Sequence, residues 1–116
     1  MAKADRLEQL DLRREAEEQE YRVLLITALE DCARGRWGLF GHTRDKQMAA
    51  RVAPVLAELD DLAHGIDKMR GQLGIEPFAL HPAFLASRGR ADASAVGEPK
   101  QAKAWLERLA AQGSAD

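Results

Sequence analysis

Residues 52–73 read VAPVLAELDDLAHGIDKMRGQL, and this stretch decides the fold. Its apolar residues recur every seven positions, and a second apolar series follows three residues behind the first. The first series is Val52, Leu59, Ile66 and Leu73, and the second is Val55, Leu62 and Met69. This spacing predicts a helix with three heptads of coiled-coil seam. Leu56 and Ala63 widen the apolar stripe enough for packing in a helical bundle.

The two ends of this helix carry different signals. Gly74 predicts the C-terminus, because glycine readily adopts the left-handed conformation that follows many helices, and Pro77 prevents the helix from resuming. Thr43 is a good N-cap, with Asp45 in the first turn. Pro54 then falls inside the helix, where proline kinks the backbone or marks a restart. Since no capping residue precedes Pro54, we expect a kinked continuation.

An earlier helix is predicted from about residue 4 to residue 33. Its second half carries a core-facing stripe at helical spacing, made of Tyr21, Leu24, Leu25, Ala28, Leu29 and Cys32. Its first half has only three leucines, followed by charges of opposite sign placed four residues apart. Residues 1–18 therefore have little to bury. We expect them to project from the body, to fray, or to bind a partner chain through their leucines.

The chain is predicted to be a single all-α domain, residues 1–116. The two long helices, joined by about ten residues, predict an antiparallel, coiled-coil-like hairpin. One short helix beginning near Pro82 and one longer helix beginning near Pro99 are expected to pack on it. The apolar face of the last helix is predicted to be Ala102, Trp105, Leu106, Leu109 and Ala110. Residues 87–97 are predicted to be a flexible connection, and residues 113–116 a disordered tail.

Composition narrows the class of protein. The formal net charge is only −2, which disfavours a general nucleic-acid binder. Cys32 is the only cysteine, so no intramolecular disulfide forms, as in proteins of a reducing compartment. Residues 1–20 lack the apolar region of a secretory signal, and no apolar run approaches the ~18 residues of a membrane span. We expect a cytoplasmic protein that does not enter membranes.

The most distinctive segment outside the helices is RGRWGLFGHTR, residues 34–44. Residues 34–51 carry five cations and one anion, a formal charge of +4. One interpretation is a partner- or ligand-binding loop, because Trp and Arg dominate binding hot spots and arginines hold carboxylates and phosphates. Its candidate residues are Arg34, Arg36, Trp37, Phe40, His42 and Arg44. The other interpretation, which we favour, is a structural plug in which the aromatics fold inward over the end of the hairpin.

No residue pattern predicts catalysis or a metal ion. Asp61 and His64 have the spacing of half a di-iron site, but the heptad places His64 on the face opposite the seam, and Asp60 and Asp67 on the outer side. We therefore interpret these residues as a solvated face. His42, His64 and His81 share no ligand spacing, and His81, directly before Pro82, is expected to be a turn residue. Cys32 lies on the apolar stripe near a helix C-terminus, which predicts a small buried residue rather than a nucleophile.

These patterns favour a non-enzymatic helical module for protein–protein interaction or assembly, without a cofactor. Its working surface is expected at loop 34–44, at the N-terminal half-helix, or at both. The alternative is binding of a small anionic ligand or nucleic acid through the Arg-rich Trp37 loop, although the overall charge makes nucleic acid the less favoured partner. A homodimer is also expected, because the charged start of the first helix cannot cover three heptads. If the seam closes between two chains, Leu59→Lys should reduce the dimer that light scattering measures.

Overall fold

The structure is a computed structural model that describes residues 2–34, 46–88 and 98–114. Within these ranges the chain forms four helices, which are α1 (Ala2–Ala33), α2 (Lys46–Leu73), α3 (Leu80–Ser87) and α4 (Glu98–Ser114). The described residues contain no strand. The all-α prediction is therefore confirmed for the described part of the chain. None of the helices described there is long and apolar enough to cross a membrane.

The boundaries of α2 follow from residues that the sequence already marks. The helix passes through Pro54 without a break, so a continuation is confirmed, whereas the expected kink stays a prediction. It ends at Leu73 and is followed by Gly74, whose φ of +70° is the left-handed conformation that glycine tolerates. The Gly74 N–H donates to the Gly71 carbonyl at 3.2 Å, and the Ile75 N–H donates to the Arg70 carbonyl at 3.0 Å. Together these bonds form a Schellman motif that satisfies two of the last carbonyls of α2.

The short helix α3 begins at Leu80, two residues before the predicted start at Pro82. Pro82 is the third residue of the helix, where its missing N–H leaves no intrahelical bond unmade. Ala79 precedes the helix without a side-chain cap. His81 consequently lies in the first helical turn, and its prediction as a turn residue is wrong.

One apolar core joins the elements, because α1 packs against both α2 and α4, and α2 packs against α3. The seam residues Val52, Leu59 and Ile66 are buried within a single chain. A dimer can therefore not use Leu59, since that side chain is already covered by its own chain. The other large buried contributions come from Tyr21, Leu25, Leu29, Phe78, Phe84 and Trp105.

The core face of α4 is rotated relative to the prediction. Ala102, Trp105 and Leu109 are buried and Leu106 is half-buried, as expected, but Ala110 is exposed. Gln101, which was not predicted to face the core, is buried, and the Gln101 Nε2 donates to the Ser87 carbonyl at the end of α3 at 3.0 Å. α4 continues to Ser114, two residues into the predicted tail 113–116.

Candidate functional site

Of the six predicted binding residues in loop 34–44, only Arg34 lies in the described part of the chain. Its side chain is exposed, with Nη2 3.9 Å from Oε2 of Glu30. Its backbone N–H donates to the Glu30 carbonyl at 3.1 Å. The other five residues, Arg36, Trp37, Phe40, His42 and Arg44, lie outside the described residues. The choice between a binding loop and a plug therefore stays a prediction.

The start of α1 offers a second candidate surface, residues 5–13, which we term the N-terminal arm. Leu7 is 43% exposed, Leu12 is also exposed, and Leu10 is half-buried. Leu7 and Leu10 precede Tyr21 and Leu24 by two complete heptads, so they lie on the helix face that forms the core further along α1. The core face of α1 thus continues through the arm, where it is only partly covered.

A cluster of ion pairs marks the point where the core gives way to the arm. The Arg70 guanidinium donates to Glu18 twice, from Nε to Oε2 at 2.8 Å and from Nη2 to Oε1 at 3.0 Å. Arg14 Nη1 donates to the same carboxylate at 2.8 Å, and Arg14 Nε donates to Asp11 at 2.8 Å. Two guanidiniums therefore share one carboxylate, which joins α1 to α2 by charge-assisted bonds.

The surroundings of Glu18 act on its proton affinity in opposite directions. Its side chain is only 13% exposed, and this desolvation raises the pKa of the carboxyl group. The hydrogen bonds from Arg70 and then Arg14 favour the ionised form and outweigh the desolvation. The pKa of Glu18 is consequently held below its ordinary value. The cluster is thus built for an ionised Glu18.

A second polar contact, missed in the sequence, connects three helices through His81. The Tyr21 hydroxyl of α1 lies 2.7 Å from His81 Nδ1, and Asp60 Oδ1 of α2 lies 3.2 Å from His81 Nε2. Burial, together with the charge of Asp60, raises the pKa of the Tyr21 hydroxyl, so it remains an O–H donor. We assign the Nε2–H of His81 as the donor to the Asp60 carboxylate, and Nδ1 forms the hydrogen bond with the Tyr21 hydroxyl.

This Tyr–His–Asp series resembles a proton relay, but its geometry indicates a structural role. Tyr21 is wholly buried, and its ring contacts those of Phe78 and His81 edge to face. A substrate has no route to its hydroxyl. The series instead fixes α3 on α1 and α2, because each polar atom buried there has a partner.

Two aspartates interpreted as a solvated face therefore hold α3 in place. Asp67 Oδ1 accepts the Phe78 backbone N–H at 2.7 Å, and Asp60 accepts from His81. Both aspartates are exposed, like Asp61 and His64, as the solvated-face interpretation expects, but their contacts to His81 and Phe78 were not predicted. One signal for His81 was available in the sequence. It stands three residues before the buried Phe84, which is the spacing of a shared helix face.

The remaining candidate among the described residues is Cys32. Cys32 is wholly buried, as its place on the apolar stripe predicts. In the part of the chain that the structure describes, no three His, Cys, Asp or Glu side chains are grouped so that they could hold a metal ion. No protein-family model, curated protein or solved structure matches the chain.

Proposed function

We propose that this chain is a non-enzymatic helical interaction module whose N-terminal arm binds another protein chain. One observation carries the proposal. Leu7 is 43% exposed although it occupies the same helix face as Tyr21 and Leu25, which are 0% exposed. The core-facing pattern of α1 thus extends beyond the part of the helix that its own chain buries.

The small amount of packing on the arm supports a partner. The arm is the end of the 32-residue helix α1, and helices in proteins gain most of their stability from the packing of an apolar face. Asp11 of the arm pairs with Arg14, directly beyond the arm, and such a pair is worth only about 0.2–0.5 kcal/mol. A partner that buried the remaining exposed area of Leu7 and Leu12 would contribute about 1 kcal/mol for each leucine.

Charge indicates what kind of partner surface fits. Residues 5–20 carry seven carboxylates and three guanidiniums, a formal −4. We therefore expect a partner with an apolar strip bordered by basic residues. The +4 segment at residues 34–51 of a second copy has the required charge. Self-association through the arm is thus the first case to test, in place of the seam at Leu59.

The antiparallel hairpin belongs to the same proposal. Glu18 binds Arg70, and an atom of the Glu17 carboxylate lies 3.3 Å from where a Cβ on Gly65 would stand. Each contact joins a residue far before the connection at 35–45 with one far after it. This is the pattern expected when two helices run in opposite directions from a shared connection.

The test compares two identical substitutions on one helix face. Leu7→Lys is expected to change the free energy of unfolding by no more than about 0.5 kcal/mol, as exposed sites do. Leu25→Lys places an unpaired charge in the core and is expected to cost several kcal/mol or to prevent folding. Equal losses would show that the arm belongs to the fold, and the proposal would fail. Light scattering over a concentration series then tests the partner, because a dimer weakened by Leu7→Lys identifies a second copy.

Anion binding by loop 34–44 is the second candidate. The observation that favours it is Arg34, whose guanidinium is 59% exposed and whose one ion pair with a described residue, Glu30, is 3.9 Å long. Steep weakening with salt would support contacts to several phosphates, with a slope of about −0.9 per phosphate on duplex DNA. Apolar docking of Trp37 predicts little dependence on salt.

A further inference from the structure

A groove of about 420 Å³ lies where α1, α2, α3, α4 and the connection after α2 meet. Three arginines from three helices line it, Arg22 of α1, Arg70 of α2 and Arg108 of α4. The acidic residues that line it are Glu18 and Glu76, so its formal charge is +1 in a chain of net charge −2. Cations brought together by separate helices repel one another, and a bound anion would relieve that repulsion.

The three guanidiniums differ in how many of their donors are already bonded within the protein. Arg70 is held by Glu18 and by the Glu76 carbonyl, to which its Nη1 donates at 2.8 Å. Arg22 and Arg108 make no ion pair with any residue that the structure describes. The Arg108 guanidinium lies over the Trp105 ring, 4.7 Å from its centroid. Arg22 and Arg108 therefore retain donors for a ligand, while Arg70 contributes charge from a fixed position.

Apart from the uncharged polar side chain of Gln112, the rest of the groove is lined by apolar residues. Pro77, Phe78, Leu80 and Ala83 line it, and the Arg70 guanidinium lies 5.6 Å from the centroid of the Phe78 ring. A surface of this kind favours a ligand with an apolar group next to its charge, because a bare inorganic anion would leave that surface in water.

We propose that this groove binds a small organic anion, a carboxylate or phosphate joined to an aromatic or branched apolar group. Arg22 and Arg108 hold the anionic group, and Leu80 and Ala83 contact the apolar group. Guanidiniums suit this task because their planar donors match the oxygens of carboxylates and phosphates. The site is separate from the N-terminal arm and does not depend on the interaction function.

Trp105 provides a direct readout, since Arg108 stacks on its ring. In a Trp37→Phe variant, Trp105 is the only tryptophan, and its emission is followed during titration with phenyl phosphate, phenylacetate, inorganic phosphate or benzyl alcohol. A saturable change is expected with at least one aromatic anion, with tighter binding than inorganic phosphate and no saturation with neutral benzyl alcohol. The tighter of phenyl phosphate and phenylacetate shows which anionic group the site takes.

Calorimetry with that aromatic anion then tests the assigned residues. Arg22→Gln and Arg108→Gln are each expected to weaken binding about tenfold, the loss of one charge-assisted contact. Arg13→Gln removes an exposed cation outside the groove and is expected to leave affinity unchanged. Circular dichroism of each variant confirms that the helices persist. The proposal is overturned if neither aromatic anion saturates, if benzyl alcohol binds equally well, or if Arg13→Gln weakens binding as much as Arg22→Gln.

Discussion

Replacing Glu18 with Gln tests whether the ion cluster joins α1 to α2. The carboxylate receives three hydrogen bonds, two from Arg70 and one from Arg14, all between 2.8 and 3.0 Å. Glutamine keeps the shape and one acceptor oxygen, but it presents an NH₂ group to two guanidiniums and removes the negative charge between them. Glu17→Gln is the matched control, because the one ion pair of Glu17 with a described residue is 3.9 Å long, to Arg13.

The magnitude lies between two known limits. Exposed ion pairs are worth about 0.2–1 kcal/mol, and breaking a buried pair costs about 3–5 kcal/mol. Glu18 is 13% exposed and Arg70 is 19% exposed, so the cluster lies toward the buried limit. Since glutamine retains part of the bonding, we expect a loss of about 2 kcal/mol, and about 0.5 kcal/mol or less for Glu17→Gln. In a domain of this size, 2 kcal/mol lowers Tm by roughly 8 °C.

Urea unfolding followed by circular dichroism measures the free energy of unfolding of wild type and of both variants, and repeating it at several pH values gives the pH dependence of each loss. The pKa of Glu18 is lowered in the folded state, so its contribution is fully present above the unfolded value of 4.5 and is lost as pH falls through the folded pKa. The difference between wild type and Glu18→Gln should therefore narrow only below pH 4.5. Equal losses for Glu18→Gln and Glu17→Gln at neutral pH, or a difference that persists in strong acid, would refute the reasoning.

Two further predictions concern the glycines at the end of α2 and the loop tryptophan. Gly71→Ala should raise the free energy of unfolding by about 0.5–1 kcal/mol, because Gly71 is helical and nothing lies within 4 Å of an added Cβ. Gly74→Ala should lower the free energy of unfolding by about 1 kcal/mol, because φ there is +70°. Chemical denaturation measures the change for each variant. Changes of the same sign in the two variants would contradict the argument. In a Trp105→Phe variant, Trp37 is the only tryptophan, and blue-shifted emission that acrylamide quenches poorly is expected if loop 34–44 is a plug. Red-shifted, readily quenched emission would favour the binding loop.

The helices were predictable because their signals are local. Each signal depends only on neighbouring residues in the sequence. Examples are the apolar spacing in residues 52–73, the glycine at position 74 that ends α2, and the proline at position 99 near the start of α4. The half-buried state of Leu10 beside the exposed Leu7 was not predictable, since it depends on where the neighbouring helices end. Sequence periodicity shows which face of a helix is apolar, but not how far along the helix that face is covered.

The junction at α3 was missed for a related reason. Asp60 and Asp67 lie outside the seam of a two-helix hairpin. The heptad pattern describes only the contact between the two helices of that hairpin, so it predicts no packing partner for these residues. α3 packs on that side of α2, where Asp67 accepts the Phe78 backbone N–H and Asp60 accepts from His81. Gln101 likewise lies on the core face of α4, where its side chain donates to the Ser87 carbonyl, whereas Ala110 is exposed. Such side chains depend on contacts between elements distant in sequence, which one amphipathic pattern does not specify.

The position of the ion cluster also limits helix sliding. Leu7, Arg14, Tyr21 and Ala28 succeed one another at seven-residue intervals along α1, so a seam made of leucines alone would allow the helix to shift by one heptad, about 10 Å. Such a shift in one direction would move the Arg14 guanidinium into the place of Tyr21, against the Phe78 ring, and would carry Glu18 away from Arg70 of α2. A shift in the other direction would put the single methyl of Ala28 there and open a void. Only one alignment of α1 therefore satisfies both the charges and the packing.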